Sequence, residues 1–245
     1  MLYGIIGYPL GHSCSPQYFN QKFQAEGINA RYLSFEMQEI TELPDLLDRY
    51  PELCGFNVTI PHKQNILPFL DAISDEAQAI GAVNCVKVDH RNGKAFLTGF
   101  NTDMYGFRNA LLQFMPSHIK KALILGNGGA AKAVRYALRS LQMEVLTVSR
   151  QPQGEDQIGY SELTKLLPDF PLIVNTTPLG TWPNTDTCPD IPYQQLTPGH
   201  YLFDLVYNPE TTEFMKRGLA NNAHVCNGYA MWLGQAEKNL SIFLM

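Results

Sequence analysis

Residues 122–141 constrain the fold of this chain more than any other stretch. A short apolar strand at 122–125 runs into the sequence Gly-Asn-Gly-Gly-Ala-Ala at 126–131, and a helical pattern then continues through Leu141. Gly-x-Gly-x-x-Ala between a strand and a helix is typical of a dinucleotide-binding unit, because glycines allow the tight turn and let the backbone approach a pyrophosphate. The pattern therefore predicts a Rossmann-type parallel sheet.

The end of the next strand bears on which dinucleotide is bound. The strand at 144–148 is followed by Ser149 and Arg150. NAD enzymes usually carry an acidic residue at this place for the ribose hydroxyls, whereas an arginine suits a 2′-phosphate, so NADP is favoured. The alternative is that Arg150 only faces solvent. Residues 151–154 add no further cation, which leaves the strictness of NADP over NAD open.

A second constellation lies at residues 55–63. The pattern predicts a strand that ends before a helix with Pro61 in its first position, where the missing N–H of proline does no harm. Asn57 and Thr59 share one face of this strand, and Lys63 follows in the predicted first helical turn. Open α/β sheets bind ligands at the carboxyl ends of their strands, so these three residues are candidates for substrate contact. The alternative is a polar strand end with a solvated lysine.

Near the amino terminus, Ser13 and Ser15 precede or begin a helical pattern. Ser15 followed by Pro16 predicts an N-cap with proline at the first helical position. Capping alone is one interpretation. The functional one is that hydroxyls and free N–H groups at a helix start bind a carboxylate.

Composition excludes several classes of function. The chain has 245 residues, 45% of them hydrophobic and 17% charged, which predicts two globular domains. The net charge of −5 without a basic run argues against nucleic acid as a partner. No signal-peptide pattern or membrane-length apolar run is seen. The five cysteines are scattered and the histidines dispersed, which favours reduced thiols in the cytoplasm and no metal site.

Strand and helix patterns alternate along most of the chain, as expected for an α/β protein with a parallel sheet. Strands are predicted at 3–6 and 31–37, and a helix at 40–50. Asn92-Gly93 is a hairpin signal and makes the first sheet mixed, although largely parallel. The last helical pattern begins at residue 228.

Eight motifs occur in one order along nearly the whole chain, and together they are specific. They comprise the two serines with their proline, the Asn-Val-Thr-x-Pro-x-Lys block, Ala-Val-Asn, Asn-Thr-Asp, the glycine turn and three later segments, at 13–16, 57–63, 82–84, 101–103, 126–131, 175–180, 204–209 and 231–235. In these motifs the chain resembles the shikimate dehydrogenase family. Departures are Cys85 in place of the family's usual threonine, and Asn127 where alanine is usual.

The resemblance implies roles for particular residues. Lys63 and Asp103 match the catalytic pair of the family. The positions that match substrate contacts, besides that pair, are Ser13, Ser15, Asn57, Thr59, Asn84, Tyr207 and Gln235. The positions that match contacts to the NADP cofactor are Asp75, Gly126, Asn127, Gly128, Gly129, Ala130, Ser149, Arg150, Asn175, Thr176, Thr177, Leu205 and Gly228.

The resemblance also implies an activity and an architecture. The expected activity is the reversible, NADPH-dependent reduction of 3-dehydroshikimate to shikimate in aromatic amino acid (chorismate) biosynthesis. The expected domains are a substrate-binding domain at 1–101, a Rossmann-type doubly wound NADP-binding domain at 102–226, and a helix at 227–245 that returns to the first domain. A cytoplasmic monomer or homodimer is expected.

Of three rival interpretations, the first remains open and the other two are disfavoured. A related enzyme acting on quinate or an amino analogue of shikimate, with relaxed use of NAD and NADP, keeps the fold and mechanism. A non-catalytic, cofactor-binding regulatory protein has no need to retain both Lys63 and Asp103. The spacing of Tyr18 and Lys22 fits the Tyr-x-x-x-Lys motif of short-chain dehydrogenases, but here it precedes the glycine turn instead of following it.

Overall fold

The computed structural model describes residues 1–11, 13–91 and 93–245, and these divide into two compact units. The first consists of Met1–Thr102 and Ala236–Met245, and the second of Asp103–Gln235. The predicted domain boundaries fell after residues 101 and 226, whereas the units divide after residues 102 and 235. The last helix therefore begins in the second unit and ends in the first.

The first unit is built on a mixed sheet, as predicted. Its strands are β1 (Leu2–Gly7), β2 (Arg31–Glu36), β3 (Leu53–Val58), β4 (Ala72–Ile73), β5 (Cys85–Arg91) and β6 (Lys94–Phe100). Their order across the sheet is β2-β1-β3-β5-β6-β4. β1 lies parallel to both β2 and β3, and β5 runs antiparallel to β3 and β6. Within the predicted hairpin turn between β5 and β6, Asn92 lies outside the described residues.

The strand β1, between β2 and β3, is buried along its entire length because both faces of the sheet are covered. Leu2 and Ile6 belong to the core on one face, and Tyr3 and Ile5 to the core on the other, as the period of two requires. The helices of this unit are α1 (Ser15–Ala25), α2 (Leu43–Arg49), α3 (Asp75–Ile80) and the end of α8 (Tyr229–Phe243). A side chain at Gly55 would collide with Phe243 of α8, 2.7 Å from the position of its Cβ.

The second unit has a parallel, doubly wound sheet, which confirms the Rossmann-type prediction. Its strands are β7 (Lys121–Leu125), β8 (Glu144–Val148), β9 (Gln157–Ile158), β10 (Leu172–Asn175), β11 (Tyr201–Asp204) and β12 (His224–Cys226). The order is β12-β11-β10-β7-β8-β9, and every pairing among the described strands is parallel. The strand order reverses between β7 and β10, where such sheets place their ligand.

Helices of the second unit cover this sheet. They are α4 (Asp103–Phe114), α5 (Gly129–Ser140), α6 (Leu163–Leu166), α7 (Glu213–Leu219) and the first part of α8. α4 and α8 approach closely at Gly106, whose Cβ would lie 2.3 Å from the carbonyl oxygen of Met231. Among the described helices, none has the length and apolar character needed to span a membrane.

Two local predictions in the first unit are wrong. Residues 60–66 are all described and form consecutive turns instead of a helix starting at Pro61. The His62 N–H donates to the carbonyl of Thr59 (2.9 Å) and the Ile66 N–H to that of His62 (3.0 Å), and these single turns do not continue as a helix. Ser15 is the first residue of α1 and not its N-cap, because Cys14 already has helical dihedral angles (φ −78°, ψ −9°).

Candidate active site

The carboxyl end of β3 and the residues just before β5 meet in the first unit. Asn57, at the end of β3, donates from Nδ2 to the carbonyl oxygen of Asn84 (3.1 Å). The carbonyl oxygen of Lys63 accepts a 2.7 Å bond from the N–H of Val83, next to Asn84. The two asparagines are buried and Lys63 is half-buried. The structure thus brings three sequence-predicted residues together although their segments are separated in sequence.

Asn84 is held on a second side by the chain that follows β6. Its Oδ1 accepts from the backbone N–H of Thr102 (2.7 Å), and its Nδ2 donates to the Thr102 hydroxyl (2.9 Å). That hydroxyl donates in turn to Oδ1 of Asn239 in α8 (2.6 Å). These bonds fix which end of the Asn84 amide faces which neighbour, since a buried amide that flips would lose them.

Asn57 is oriented by a residue that sequence reasoning did not find. The hydroxyl of Tyr32 in β2 donates to Asn57 Oδ1 at 2.6 Å. Burial raises the pKa of Tyr32 well above its usual value, and Cys85 adds to the effect, so the hydroxyl stays protonated as a donor. With Oδ1 taken by Tyr32 and Nδ2 directed at Asn84, the Asn57 amide has one defined orientation.

The loop after β1 and the first position of α1 carry the two predicted serines. The Ser13 hydroxyl accepts from the N–H of Ser15 (3.4 Å), next to Cys14, the N-cap of α1, which makes no side-chain capping bond. Gly7 and Thr59 lie in contact, because a Cβ at Gly7 would be 2.4 Å from Thr59 Cγ2. Asp75 is exposed in the first turn of α3, and no hydrogen bond among the described residues joins it to this group.

In the second unit, the glycine turn leaves the sheet at the reversal of strand order. Gly126 has φ of +108°, which favours glycine, and its N–H donates to the carbonyl of Val148 (2.9 Å). Gly128 is the N-cap of α5, and apart from its chain neighbours no atom of a described residue lies within 4 Å of where its Cβ would be. The turn therefore presents backbone N–H groups beside open space, with Gly129 and Ala130 as the first residues of the helix.

The loop after β10 lies beside this turn. Thr176 donates from its hydroxyl to the carbonyl of Leu125 (2.7 Å), and a Cβ at Gly126 would lie 2.9 Å from that hydroxyl. Thr177 donates through its N–H and its hydroxyl to Asn175 Oδ1 (3.0 and 2.7 Å). Asn175 itself is fully buried, so its side chain shapes the loop from within.

Asp204, at the end of β11, anchors this loop. Its Oδ1 accepts from Asn175 Nδ2 (2.9 Å) and from the N–H of Val206 (3.0 Å), and its Oδ2 accepts from the hydroxyl of Thr212, the N-cap of α7 (2.6 Å). Burial raises the pKa of Asp204 to about 6, although the three hydrogen bonds oppose that shift. One buried carboxyl thus joins two strand ends and a helix start.

The remaining predicted residues of this unit follow β11. Leu205 touches Gly228 so closely that a Cβ there would lie 2.1 Å from the Leu205 carbonyl oxygen. The ring of Tyr207 packs on Trp232, with 5.6 Å between centroids. In the next turn of α8, Gln235 donates to the carbonyl of Trp232 (3.0 Å). Asp103 is buried as the first residue of α4.

Ser149 and Arg150 stand at the end of β8, the neighbour of β7. The Ser149 N–H donates to the carbonyl of Ile158 (2.9 Å), and its hydroxyl accepts from the N–H of Gln151 (3.2 Å). Arg150 is exposed and forms no salt bridge within the described part of the chain. It lies near enough to Tyr160 to offset part of the increase that burial causes in the pKa of that phenol.

Sequence reasoning missed the residues that support these side chains. Thr102 lies inside a motif that was recognised, and Asp204 begins another, so a search for buried partners within motifs could have found both. Tyr32 stands alone in β2 with no local pattern that points to Asn57. Its partner becomes evident only when β1 lies between β2 and β3.

Comparisons with known proteins identify the family. The family model described as "Shikimate dehydrogenase substrate binding domain" matches residues 5–86. A shikimate dehydrogenase (NADP(+)) from Desulforamulus reducens is 37% identical over 95% of this chain and 86% of its own length. This chain belongs to the shikimate dehydrogenase family.

Solved structures agree with this assignment. A shikimate 5-dehydrogenase from Thermus thermophilus, in complex with NADP(H) and shikimate, superposes with a TM-score of 0.85. It is 31% identical, and the match covers 99% of this chain and 93% of that one. The ligand-free 5-ketofructose reductase of Gluconobacter sp. strain CHM43 also has a TM-score of 0.85, at 27% identity, covering 100% and 92% of the two chains. The fold thus also occurs in a reductase named for another substrate.

Proposed function

We propose that this chain is a shikimate dehydrogenase that reduces 3-dehydroshikimate to shikimate reversibly with NADPH. The observation that carries the proposal is the cluster of Asn57, Asn84 and the Lys63 segment at the strand ends of the first unit. It supplies amide groups of fixed orientation beside the backbone of Lys63, in a chain whose curated relative is named for this activity. Hydroxyl groups on a ring are ligands that oriented amides can recognise, since an amide offers both a donor and an acceptor.

The substrate carboxylate would be held by the loop after β1. Ser13 and Ser15 offer hydroxyls, and α1 begins at Ser15 with its first N–H groups nearby. Hydrogen bonds from several such donors suit an anion at a helix start. Ring hydroxyls would be bound by Asn57, Thr59 and Asn84. Tyr207 and Gln235, which match substrate positions of the family, would add further contacts.

Lys63 would carry the proton in both directions. In the reduction its ammonium gives a proton to the ketone oxygen as the carbonyl carbon accepts a hydride, which yields the alcohol. In the oxidation the neutral amine takes the hydroxyl proton. Asp103 would orient Lys63 and relay the proton. Asp103 directly follows Thr102, whose hydrogen bonds to Asn84 restrain the chain at this point.

The residues of the second unit fit a dinucleotide. Bound NADPH would supply the hydride, and no metal ion is needed for the transfers proposed. The open space at Gly128, together with the uncapped N–H groups of α5, suits the pyrophosphate. Ser149 and Arg150 would hold the adenosine 2′-phosphate. The other cofactor positions are Gly126, Asn127, Gly129, Ala130, Asn175, Thr176, Thr177, Leu205 and Gly228, together with Asp75 of the first unit.

Initial rates of nicotinamide reduction test the proposal. Purified protein is assayed with shikimate and with quinate, each combined with NADP⁺ and with NAD⁺. A large preference for shikimate with NADP⁺ is expected. Comparable rates with quinate or with NAD⁺ would instead support the sister function, with the same fold and mechanism. Dinucleotide binding without turnover on any substrate would support a regulatory protein.

A second candidate substrate class belongs in the same assay. The likeness to 5-ketofructose reductase shows that this fold occurs in a reductase named for a different ketone. 5-Ketofructose with NADPH is therefore the appropriate additional substrate, and an amino analogue of shikimate is another. Turnover of either at a higher rate than 3-dehydroshikimate would contradict the assignment to shikimate.

We also propose that the enzyme works in the cytoplasm as a monomer or homodimer. The described cysteines are all free thiols, as is usual in a reducing compartment. Light scattering after size-exclusion chromatography measures the oligomeric state directly.

A further inference from the structure

Arg135 reaches the corner where the glycine turn meets the end of β8. From α5, its Nη2 donates to the Thr147 hydroxyl (2.7 Å) and to Asn127 Oδ1 (3.3 Å). Thr147 is fully buried in β8, whereas Asn127 is exposed as the second residue of the turn. The arginine side chain therefore passes from the packed interface of α5 and β8 out to the turn.

The charge of Arg135 is not neutralised within the described part of the chain. Its two hydrogen-bond partners are neutral, and its Nε is buried without a partner. Burial lowers the pKa of Arg135, and the neighbouring Arg139 lowers it further. Asp156, the acid that acts in the opposite direction, is itself paired with Arg139. A half-buried guanidinium with unused donors is costly unless an anion completes its bonding.

This corner is the place where Rossmann folds distinguish the two dinucleotides. Leu125 and Val148 are register partners, so the glycine turn and Ser149 leave adjacent strands side by side. The 2′ substituent of the adenosine ribose is recognised at the end of this second strand. The Gln157 Oε1 accepts from Asn127 Nδ2 (3.4 Å) and from the Gln153 N–H (3.1 Å), which connects the turn to the loop after β8.

Resting on the proposed use of NADPH, we propose that Arg135 is a second cation for the 2′-phosphate and selects NADP over NAD together with Arg150. Residues 151–154 contain no cation, so the loop after β8 offers the phosphate only Arg150. Arg135 supplies the missing charge from the helix instead of from the loop. Asn127, the departure from the family's alanine, receives a role as well, since its side chain holds the guanidinium at the turn.

Equilibrium binding of the two oxidised dinucleotides, measured by calorimetry without substrate, tests this inference. In Arg135→Gln the dissociation constant for NADP⁺ is expected to rise about tenfold or more, because a charge-assisted bond to the phosphate is lost. The constant for NAD⁺ should stay within about twofold, since NAD⁺ lacks that phosphate. Arg217→Gln is the matched control, because it removes one positive charge from an exposed pair with Glu213 on α7. Its dissociation constants for NADP⁺ and NAD⁺ should both equal those of wild type.

A second variant distinguishes a direct effect on NADP⁺ binding from a loss of folding. Arg135→Lys retains the charge, but its single nitrogen lacks the further donor nitrogens that a guanidinium bonded to Thr147 and Asn127 can offer a phosphate. Its NADP⁺ affinity should therefore fall between those of wild type and Arg135→Gln. Equal weakening for both dinucleotides, or no change for either, would overturn the inference alone. Wild-type protein that binds neither dinucleotide would overturn the proposed function, and this inference with it.

Discussion

The two units present different kinds of hydrogen-bonding groups at the carboxyl ends of their strands. In the first unit the groups are side chains whose amides are interlocked, as Asn57 with Tyr32 and Asn84 with Thr102. In the second unit the groups are backbone N–H donors beside glycines, with open space at Gly128. Fixed side chains can select one arrangement of hydroxyls, whereas backbone donors suit any pyrophosphate.

This contrast separates the expected effects of substitution. Changes at the asparagines and Lys63 of the first unit should alter turnover and substrate KM while dinucleotide affinity stays at the wild-type value. Changes at the glycine turn should alter dinucleotide affinity or stability while leaving the substrate groups in place. Supporting residues differ as well, because the first unit relies on neutral hydrogen bonds and the second on the buried carboxyl of Asp204.

The largest effect is expected at Lys63. Lys63→Met should lower kcat by about 10²–10⁴-fold, the usual contribution of a general acid or base. Calorimetric affinity for NADP⁺ should not change, because the glycine turn belongs to the other unit. Lys87→Met is the matched control, since Lys87 pairs with Asp89 in β5 of the same unit. A folded Lys63→Met variant with wild-type turnover would remove Lys63 from the mechanism.

Asp204 should make the stability of the second unit depend on pH. Burial raises its pKa to about 6, so the folded protein binds the proton more tightly than the unfolded chain does. That stabilisation is full below the unfolded pKa near 4 and is lost as pH rises through 6, by about 2–3 kcal/mol. Asp204→Asn removes the ionisation.

Urea unfolding at a series of pH values provides the measurement. The free energy of unfolding of Asp204→Asn minus that of wild type should increase by about 2–3 kcal/mol between pH 4 and pH 7. A difference that stays constant over this interval would show that Asp204 titrates alike in both states.

Alanine substitutions at two glycines of the turn should have different effects, one on the stability of the protein and the other on its affinity for NADP⁺. Gly126→Ala forces a side chain into φ +108° and toward Thr176, which should cost about 1–2 kcal/mol and lower Tm by about 3–8 °C. Gly128→Ala meets no atom of a described residue beyond its chain neighbours, so Tm should hold while NADP⁺ affinity falls about tenfold, because the methyl group occupies the approach of the pyrophosphate. A folded Gly128→Ala variant with wild-type NADP⁺ affinity would show that the open space at Gly128 is not the pyrophosphate site.

The smallest effect is expected at Tyr32. Tyr32→Phe leaves Asn57 Oδ1 without its donor and should cost about 1–2 kcal/mol of stability. It should also raise the substrate KM several-fold, since Asn57 loses its fixed orientation. Tyr3→Phe removes a comparable buried bond, to the carbonyl of Phe243 (3.0 Å), and should lower stability without changing KM. A wild-type KM in Tyr32→Phe as well as in Tyr3→Phe would show that Tyr32 has a structural role only.

Much of the fold could be predicted because its signals are local. The apolar strand at β7, the glycine turn and α5 follow one another in sequence, and their geometry depends on neighbours along the chain. The errors were local too. Pro61 has the residue type of a helix start, yet it lies in consecutive turns, one of them closed by Thr59 and His62. Ser15 stands one position too late to cap α1.

The amino-acid sequence alone settles which chemical groups are present and in what order, since motifs and periodicity are properties of neighbouring residues. Only the tertiary structure decides which of those groups support one another. Tyr32 meets Asn57 because β1 separates β2 from β3 by one strand, and Arg135 meets Asn127 and Thr147 because α5 packs on β8. Such hydrogen bonds depend on strand register and side-chain direction, which no short stretch of sequence encodes.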